Sequence, residues 1–254
     1  MARLKSVEEL DDYPWPDMEA PYRYEHLEAA VKSLHDCGFF LRGSVGHIFE
    51  DAWQMRGMDN LFMDFALTPE FAELLLDKVT SHRCFMARRC AEAGVDMLLL
   101  GDDVGMQNRL MMSPATWRRW FKPRLAQVIK AGRDVNPRIH VFYHSDGYIE
   151  PIIPDLIEVG VDVLNPVQPE CMDPAKLKNL YGEQLAFWGT IGTQTTMPFG
   201  TPDDVRNTII ERIRTVGRGG GLVLAPTHVL EPDVPWENVI AFFETIENYD
   251  DSSS

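Results

Sequence analysis

An α/β fold built on a parallel sheet is what three features of this 254-residue chain predict. From residue 37 onward, short apolar runs rich in β-branched residues alternate with stretches of helical period, which is the rhythm of βα units. Polar loops with glycine or proline separate the two kinds of segment. Capping residues followed by proline mark where the helices start.

The elements follow in order from these signals. Residues 1–36 carry no strand: Pro14, Trp15 and Pro16 hold an extended N-terminal arm, and 24–34 has the pattern of a short helix. A single domain is expected over 37–249, with about six strands, at 39–45, 95–101, 138–144, 161–165, 185–189 and 222–226. Thr68-Pro69 opens a long helix whose apolar stripe runs through Phe71, Leu74, Leu75 and Val79 and which stops at Gly94. Ser113-Pro114, Asp173-Pro174 and Thr201-Pro202 open three more, because proline has no N–H to leave unpaired in the first turn. The polar residues 250–254 are expected to be disordered.

Composition narrows the function. With 24 basic and 39 acidic residues the net charge is -15, which repels phosphate backbones and anionic lipid heads, and no basic patch offsets it. Neither a nucleic-acid nor a membrane partner is expected. The longest apolar runs, 95–100 and 221–225, fall far short of the roughly 20 residues needed to span a bilayer. The acidic, proline-containing start lacks the apolar core of a secretory signal, so the expected compartment is the cytoplasm. Cys37, Cys84, Cys90 and Cys171 form no C-x-x-C pair and are read as reduced thiols.

In a parallel βα architecture, ligands bind at the carboxyl ends of the strands, where successive loops converge. Past those ends stand His47, Asp102 with Asp103 and Gln107, His144 with Asp146, Asn165 with Gln168, Gln194, and His228. His144-x-Asp146 is the sharpest pattern, since residues two apart in an extended segment leave the chain on one side and can bind one metal ion. Adding His228 gives two histidines and a carboxylate, a set for zinc first and iron second, with positions open for water or substrate. The plainer alternative is a hydrogen-bonded histidine at a strand end followed by an aspartate that opens a turn. Asp102 and Asp103 are candidate catalytic acids, because close carboxylates in a dry pocket push one pKa upward. Capping of backbone N–H groups or pairing with Arg109 is the competing role. His47, Gln107, Asn165, Gln168 and Gln194 are candidate substrate-binding residues, whereas Arg42, Arg56 and Arg109 read as surface arginines.

Nucleotide cofactors are disfavoured. No Gly-Lys-[Ser/Thr] phosphate loop and no G-x-G-x-x-G fingerprint occurs, and the glycines at 217–221 precede a strand instead of following one. No G-x-S-x-G elbow of a serine hydrolase is present.

The succession GVDMLLLGDDVGMQ, SPATWRRWFKPRLAQVI, VFYHSDGYIEPIIPDLIEVGVDVLNPVQPE, LAFWGTIGTQTTMPFGTPDDV and LVLAPTHVLEPDVPWENVIAF resembles the uroporphyrinogen decarboxylase superfamily. It is most similar to the bacterial decarboxylase-like branch, relatives of the methylcobamide:coenzyme M methyltransferases. The resemblance implies a TIM-type (β/α)8 barrel, incomplete here, since family members carry further N-terminal strands. An open barrel edge is expected to be shared or covered in a homo-oligomer, such as a homodimer. The N-terminal arginines and early aspartate that hold porphyrinogen in the decarboxylases have no counterpart here. In the methyltransferase relatives zinc is held by His-x-Cys and a later cysteine, and the matching positions are His144, Asp146 and His228. The resemblance therefore implies metal-assisted methyl transfer from a small methylated or methoxylated compound to a corrinoid or folate acceptor. Metal-free decarboxylation by a carboxy-lyase, and a non-catalytic or shortened binding paralogue, are the alternatives.

Overall fold

The computed structural model of the chain describes residues 1–249. The tail at 250–254, expected to be disordered, lies outside the described residues. In chain order the elements are α1 (Val7–Asp11), α2 (Leu27–Asp36), β1 (Arg42–Gly46), α3 (Phe49–Arg56), α4 (Met58–Leu67), α5 (Pro69–Ala93), β2 (Met97–Gly101), α6 (Pro114–Trp120) and α7 (Lys122–Arg133). There follow β3 (His140–His144), α8 (Ile153–Val159), β4 (Val163–Asn165), α9 (Pro174–Tyr181), β5 (Ala186–Ile191), α10 (Thr196–Phe199), α11 (Pro202–Thr215), β6 (Leu222–Pro226) and α12 (Trp236–Glu247). The strand order is that of the chain, β1-β2-β3-β4-β5-β6, as successive βα units require. No helix among the described residues is long and apolar enough to cross a membrane.

The chain separates into two compact units. The first comprises Met1–Asp103, Met112–Tyr143 and Pro154–Val161. Its β1 and β2 pair in parallel, Arg42 beside Met97 and Gly43 beside Leu98. The long helix α5 lays Phe71, Leu75, Leu76 and Val79 inward, all buried, and packs on α7 and β1. Each such side chain contributes roughly 1.5–3 kcal/mol on leaving water. Phe49, Phe65, Trp120 and Phe121 form an aromatic cluster, with Phe65 stacked on Trp120 at 4.8 Å and Phe49 edge-on to Phe121 at 5.3 Å. Phe39 and Phe40, expected inside the first strand, are exposed, and β1 begins later because Leu41 is already tied to Asp96 through its own N–H and carbonyl.

Arg56 corrects the reading of a surface arginine. It is buried, donates through Nε to Asp64 Oδ2 at 2.7 Å and lies 4.0 Å over the Phe71 ring. Its Nη1 reaches the carbonyls of Met1 and Leu4 and its Nη2 donates to Asp64 Oδ1, so the guanidinium is spent on holding the arm and Asp64. Thr68 likewise does not cap α5: its hydroxyl turns to Asp64 Oδ1 at 2.6 Å.

The second unit comprises Val104–Met111, His144–Ile153 and Asp162–Ser254. Here β4 pairs with β5 and β5 with β6, in parallel, in a register running from Phe187 beside Leu222 to Ile191 beside Pro226. Its core gathers Ile191, Met197, Val205, Ile209, Ala241 and Phe242. Thr201 and Asp204 close a reciprocal capping box at the start of α11. Asn238 fastens α12 to the carbonyls of Met197 and Gly200 at 2.9 and 2.7 Å.

Candidate functional site

β3 ends at His144, and the chain turns through Ser145, Asp146 and Gly147. A second loop crosses this turn at contact distance. A Cβ on Gly105 would lie 2.3 Å from the Asp146 carbonyl oxygen, and one on Gly147, which sits at φ +79°, would lie 2.7 Å from the Gly105 carbonyl carbon. Only two glycines permit the crossing. Hydrogen bonds lock it: Tyr148 N–H to Met106 O at 2.7 Å, Val104 N–H to Ser145 Oγ at 3.2 Å, and Gly147 N–H to Gln168 Oε1 at 2.6 Å. The path of the residue that carries the Asp146 carboxylate is thereby set by the glycine crossing together with the Ser145 hydroxyl and the Gln168 amide.

His144 is oriented from the next strand. Asn165, at the end of β4, donates from Nδ2 to the Trp188 carbonyl at 2.8 Å, which fixes which way its amide faces. Its Oδ1 then lies 2.6 Å from His144 Nδ1 and accepts the proton there. The neutral imidazole therefore carries its lone pair on Nε2, the atom 3.9 Å from Asp146 Oδ2. A histidine that ligates a metal commonly has its other ring nitrogen held by an acceptor in this way.

A cavity of about 400 Å³ opens beside Asp146 in this unit. The segments after the strands supply its walls: Met106 and Gln107, Asp146, Gln168, Thr193 and Gln194, and finally His228 with Val229, Glu231, Asp233 and Val234. Gln168 is 6% exposed and follows Val167, a β-branched residue held at φ +52°. Such backbone costs on the order of 1–3 kcal/mol and persists only where its surroundings impose it. Glu170 holds two of the lining segments in place, its Oε1 accepting from Gln194 N–H at 3.2 Å and Thr195 Oγ1 at 2.8 Å, while its carbonyl accepts from Gln107 Nε2 at 3.1 Å.

Of the expected metal set, His144 and Asp146 stand together, and His228 shares the cavity with Asp146. Among the described residues no trio of donor atoms mutually within 4.8 Å includes His228. Gln107, Gln168 and Gln194 line the cavity. Asn165, expected to touch substrate, has its amide engaged on both sides by His144 and Trp188.

Two of the other expected residues, His47 and Asp102, form a second group, in the first unit. Asp102, just past β2, is buried, and its Oδ1 accepts the N–H groups of Ile48 and Glu50, each at 3.0 Å. His47 Nδ1 lies 2.7 Å from the Gly101 carbonyl and 3.1 Å from Glu50 Oε1, and Glu50 Oε1 also accepts the Asp103 N–H at 3.0 Å. Donor atoms of His47, Glu50 and Asp102 fall within 4.8 Å of one another. Burial pushes the Asp102 carboxyl up to about 7 and the Glu50 charge adds to this, against the pull of the two N–H groups and of His47. Asp102 thus holds a proton near neutral pH, which is what a general acid requires. Glu50, three residues after His47 at the start of α3, is the partner to which the sequence assigned no role.

The uroporphyrinogen decarboxylase (URO-D) family profile matches residues 1–249. The uroporphyrinogen decarboxylase of Coxiella burnetii (strain Dugway 5J108-111) is 23% identical over 188 residues, covering 71% of this chain and 48% of that protein. The uroporphyrinogen decarboxylase of Crocosphaera subtropica is 24% identical over 182 residues, covering 72% and 49%. The chain spans about half the length of the curated relatives it matches. Among solved structures, a methyltransferase from Methanosarcina mazei superposes with a TM-score of 0.69 at 23% identity, covering 89% of this chain and 64% of that one. A psychrophilic glycoside hydrolase family 10 endo-β-1,4-xylanase superposes at 0.51 with 11% identity, covering 87% and 80%. At these identities the structures speak for the fold, a (β/α) barrel of which this chain carries six parallel strands. Matched along its length from residue 1 to residue 249, the chain belongs to the uroporphyrinogen decarboxylase (URO-D) family.

Proposed function

We propose that the chain carries out metal-assisted methyl transfer from a small methylated or methoxylated compound to a reduced corrinoid or folate. One observation carries this reading: His144, held by Asn165, turns Nε2 toward Asp146 beside a cavity of about 400 Å³. A nitrogen and a carboxylate oxygen 3.9 Å apart would need to approach slightly to become two ligands of one zinc ion, and His228, which lines the same cavity, would have to move closer to add a third donor. Bound there, zinc or, second, iron would polarise the heteroatom that carries the methyl group. The chain's own part is to seat the compound on the Gln107, Gln168 and Gln194 amides and to shield it from water. In the transfer the carbon–heteroatom bond breaks with its electron pair staying on the heteroatom, which takes a proton. The acceptor's electron pair forms the new bond to the methyl carbon.

The test is the metal content of protein purified without added metal, for the wild type and for His144→Ala and Asp146→Ala. Bound zinc or iron that either substitution removes is the expected result. A metal-free protein whose stability ignores a chelator overturns the mechanism.

A second reading, decarboxylation of a pyrrole carboxylate, draws on Asp102. When the carbon–carboxyl bond breaks, carbon dioxide leaves, and the pair left on carbon needs a proton, which the raised pKa of Asp102 keeps in place at neutral pH. Carbon dioxide release that Asp102→Asn abolishes would favour it over methyl transfer. In either case we infer a small-molecule enzyme that associates with its own copies through β1 or β6, which end the strand order.

A further inference from the structure

The first unit has a cavity of its own, of about 330 Å³, bordered by the N-terminal arm, α3 and α5. That volume is in the range of small-molecule sites. Trp15 and Met18 from the arm, Met55 from α3 and Val79 from α5 give it apolar walls. The Trp15 ring is held before anything binds: its Nε1 donates to the Leu10 carbonyl at 3.4 Å, and Tyr13 and His82 stand edge-on to it at 5.8 and 5.9 Å. A ring fixed in this way offers apolar contact at little further cost in ordering.

Arg83 supplies the polar element. Its Nη1 donates to the Val45 carbonyl at 2.9 Å and its Nη2 to Asp51 Oδ2 at 2.5 Å, but its Nε is buried without a hydrogen-bond partner. A buried N–H left unpaired at the border of a cavity calls for an acceptor from whatever occupies it. Asp51 and Arg83 are the acidic and basic side chains on the walls, one of each and paired, so their charges cancel. A carboxylate drawn to Arg83 would also meet Asp51, whereas a carbonyl oxygen accepts the N–H without bringing a charge.

We propose that this cavity binds an uncharged aromatic carbonyl compound of about two fused rings, its oxygen accepting from Arg83 Nε and its rings lying against Trp15. The site is independent of the methyl-transfer reading, since none of its residues belongs to the groups around His144 or Asp102. Occupied, it ties the arm to α3 and α5.

The test is titration calorimetry with quinolin-2-one and quinoline, which share two fused rings and differ in the carbonyl, on the purified chain and on the Trp15→Ala and Arg83→Lys variants. Quinolin-2-one should bind at least about tenfold more tightly, as a hydrogen bond from a charged donor implies. Arg83→Lys should erase that preference while leaving quinoline binding near the wild-type level, and Trp15→Ala should weaken both probes about fivefold or more. Should Arg83→Lys fail to fold by circular dichroism, the wild-type comparison and Trp15→Ala decide the question by themselves. Equal binding of the two probes, a preference that survives Arg83→Lys, affinities that ignore Trp15→Ala, or binding of neither probe overturns the proposal.

Discussion

Replacing Asp102 by asparagine isolates the energetic effect of one buried proton. The carboxyl is buried, and burial together with Glu50 lifts it from 3.8 to about 7. Between those values the folded chain binds a proton that the unfolded chain has released, so stability falls as pH rises across the window. Below the lower value both states are protonated and the group has no influence. Above the upper one both are ionised, and the folded state bears the whole penalty, about 4 kcal/mol at 1.36 kcal/mol per unit. From about pH 5.5 to about pH 8.5 the part lost is about 2 kcal/mol. The substituted amide would keep an oxygen acceptor for the N–H groups of Ile48 and Glu50 while having nothing to titrate. Urea unfolding of wild type and Asp102→Asn across that range should show the wild type losing about 2 kcal/mol more than the variant. Two parallel pH profiles would refute the raised pKa and, with it, the acid role of this carboxyl.

Three further outcomes are expected. Asn165→Ala removes the acceptor for His144 Nδ1, and zinc affinity measured by competition with a chromophoric chelator should fall about 10–100-fold with little change in fold. Gly105→Ala drives a methyl group onto the Asp146 carbonyl, so denaturation should show a loss of about 1–3 kcal/mol and metal affinity should fall with it. Thr201→Ala opens the capping box of α11 at a cost of about 1 kcal/mol, while metal binding, read by the same chelator competition, stays at the wild-type level.

What could be read from the sequence was what short-range chemistry decides. Ser113, Asp173 and Thr201 cap their helices as expected, because a cap needs only residues two or three positions on. β6 spans the expected 222–226, bounded by glycine and proline. Thr68 donates its hydroxyl to Asp64, one helical turn earlier, and its oxygen accepts no N–H from the first turn of α5. At the site, His144-x-Asp146 was legible as a local pattern, but the role of Asn165 was not. That role depends on Trp188 and His144, each more than 20 residues away in the chain, at 23 and 21 positions. Helices α3 and α4, and with them the meeting of Glu50 and Asp102, were equally hidden, since no period in the sequence records which loop lies over which strand end.

The crossing of Gly105 and Gly147 has a consequence for how such a site can change. Main-chain contacts hold residues 145–148 on their course whatever side chain stands at 146. The side chain at that position is exchangeable without rerouting the loop: were Asp146 to hold a metal ion as proposed, Asp146→Cys would put a soft thiolate where a hard oxygen now sits and shift metal preference accordingly. The loop behaves as a socket, and new reactivity at it lies a single residue exchange away.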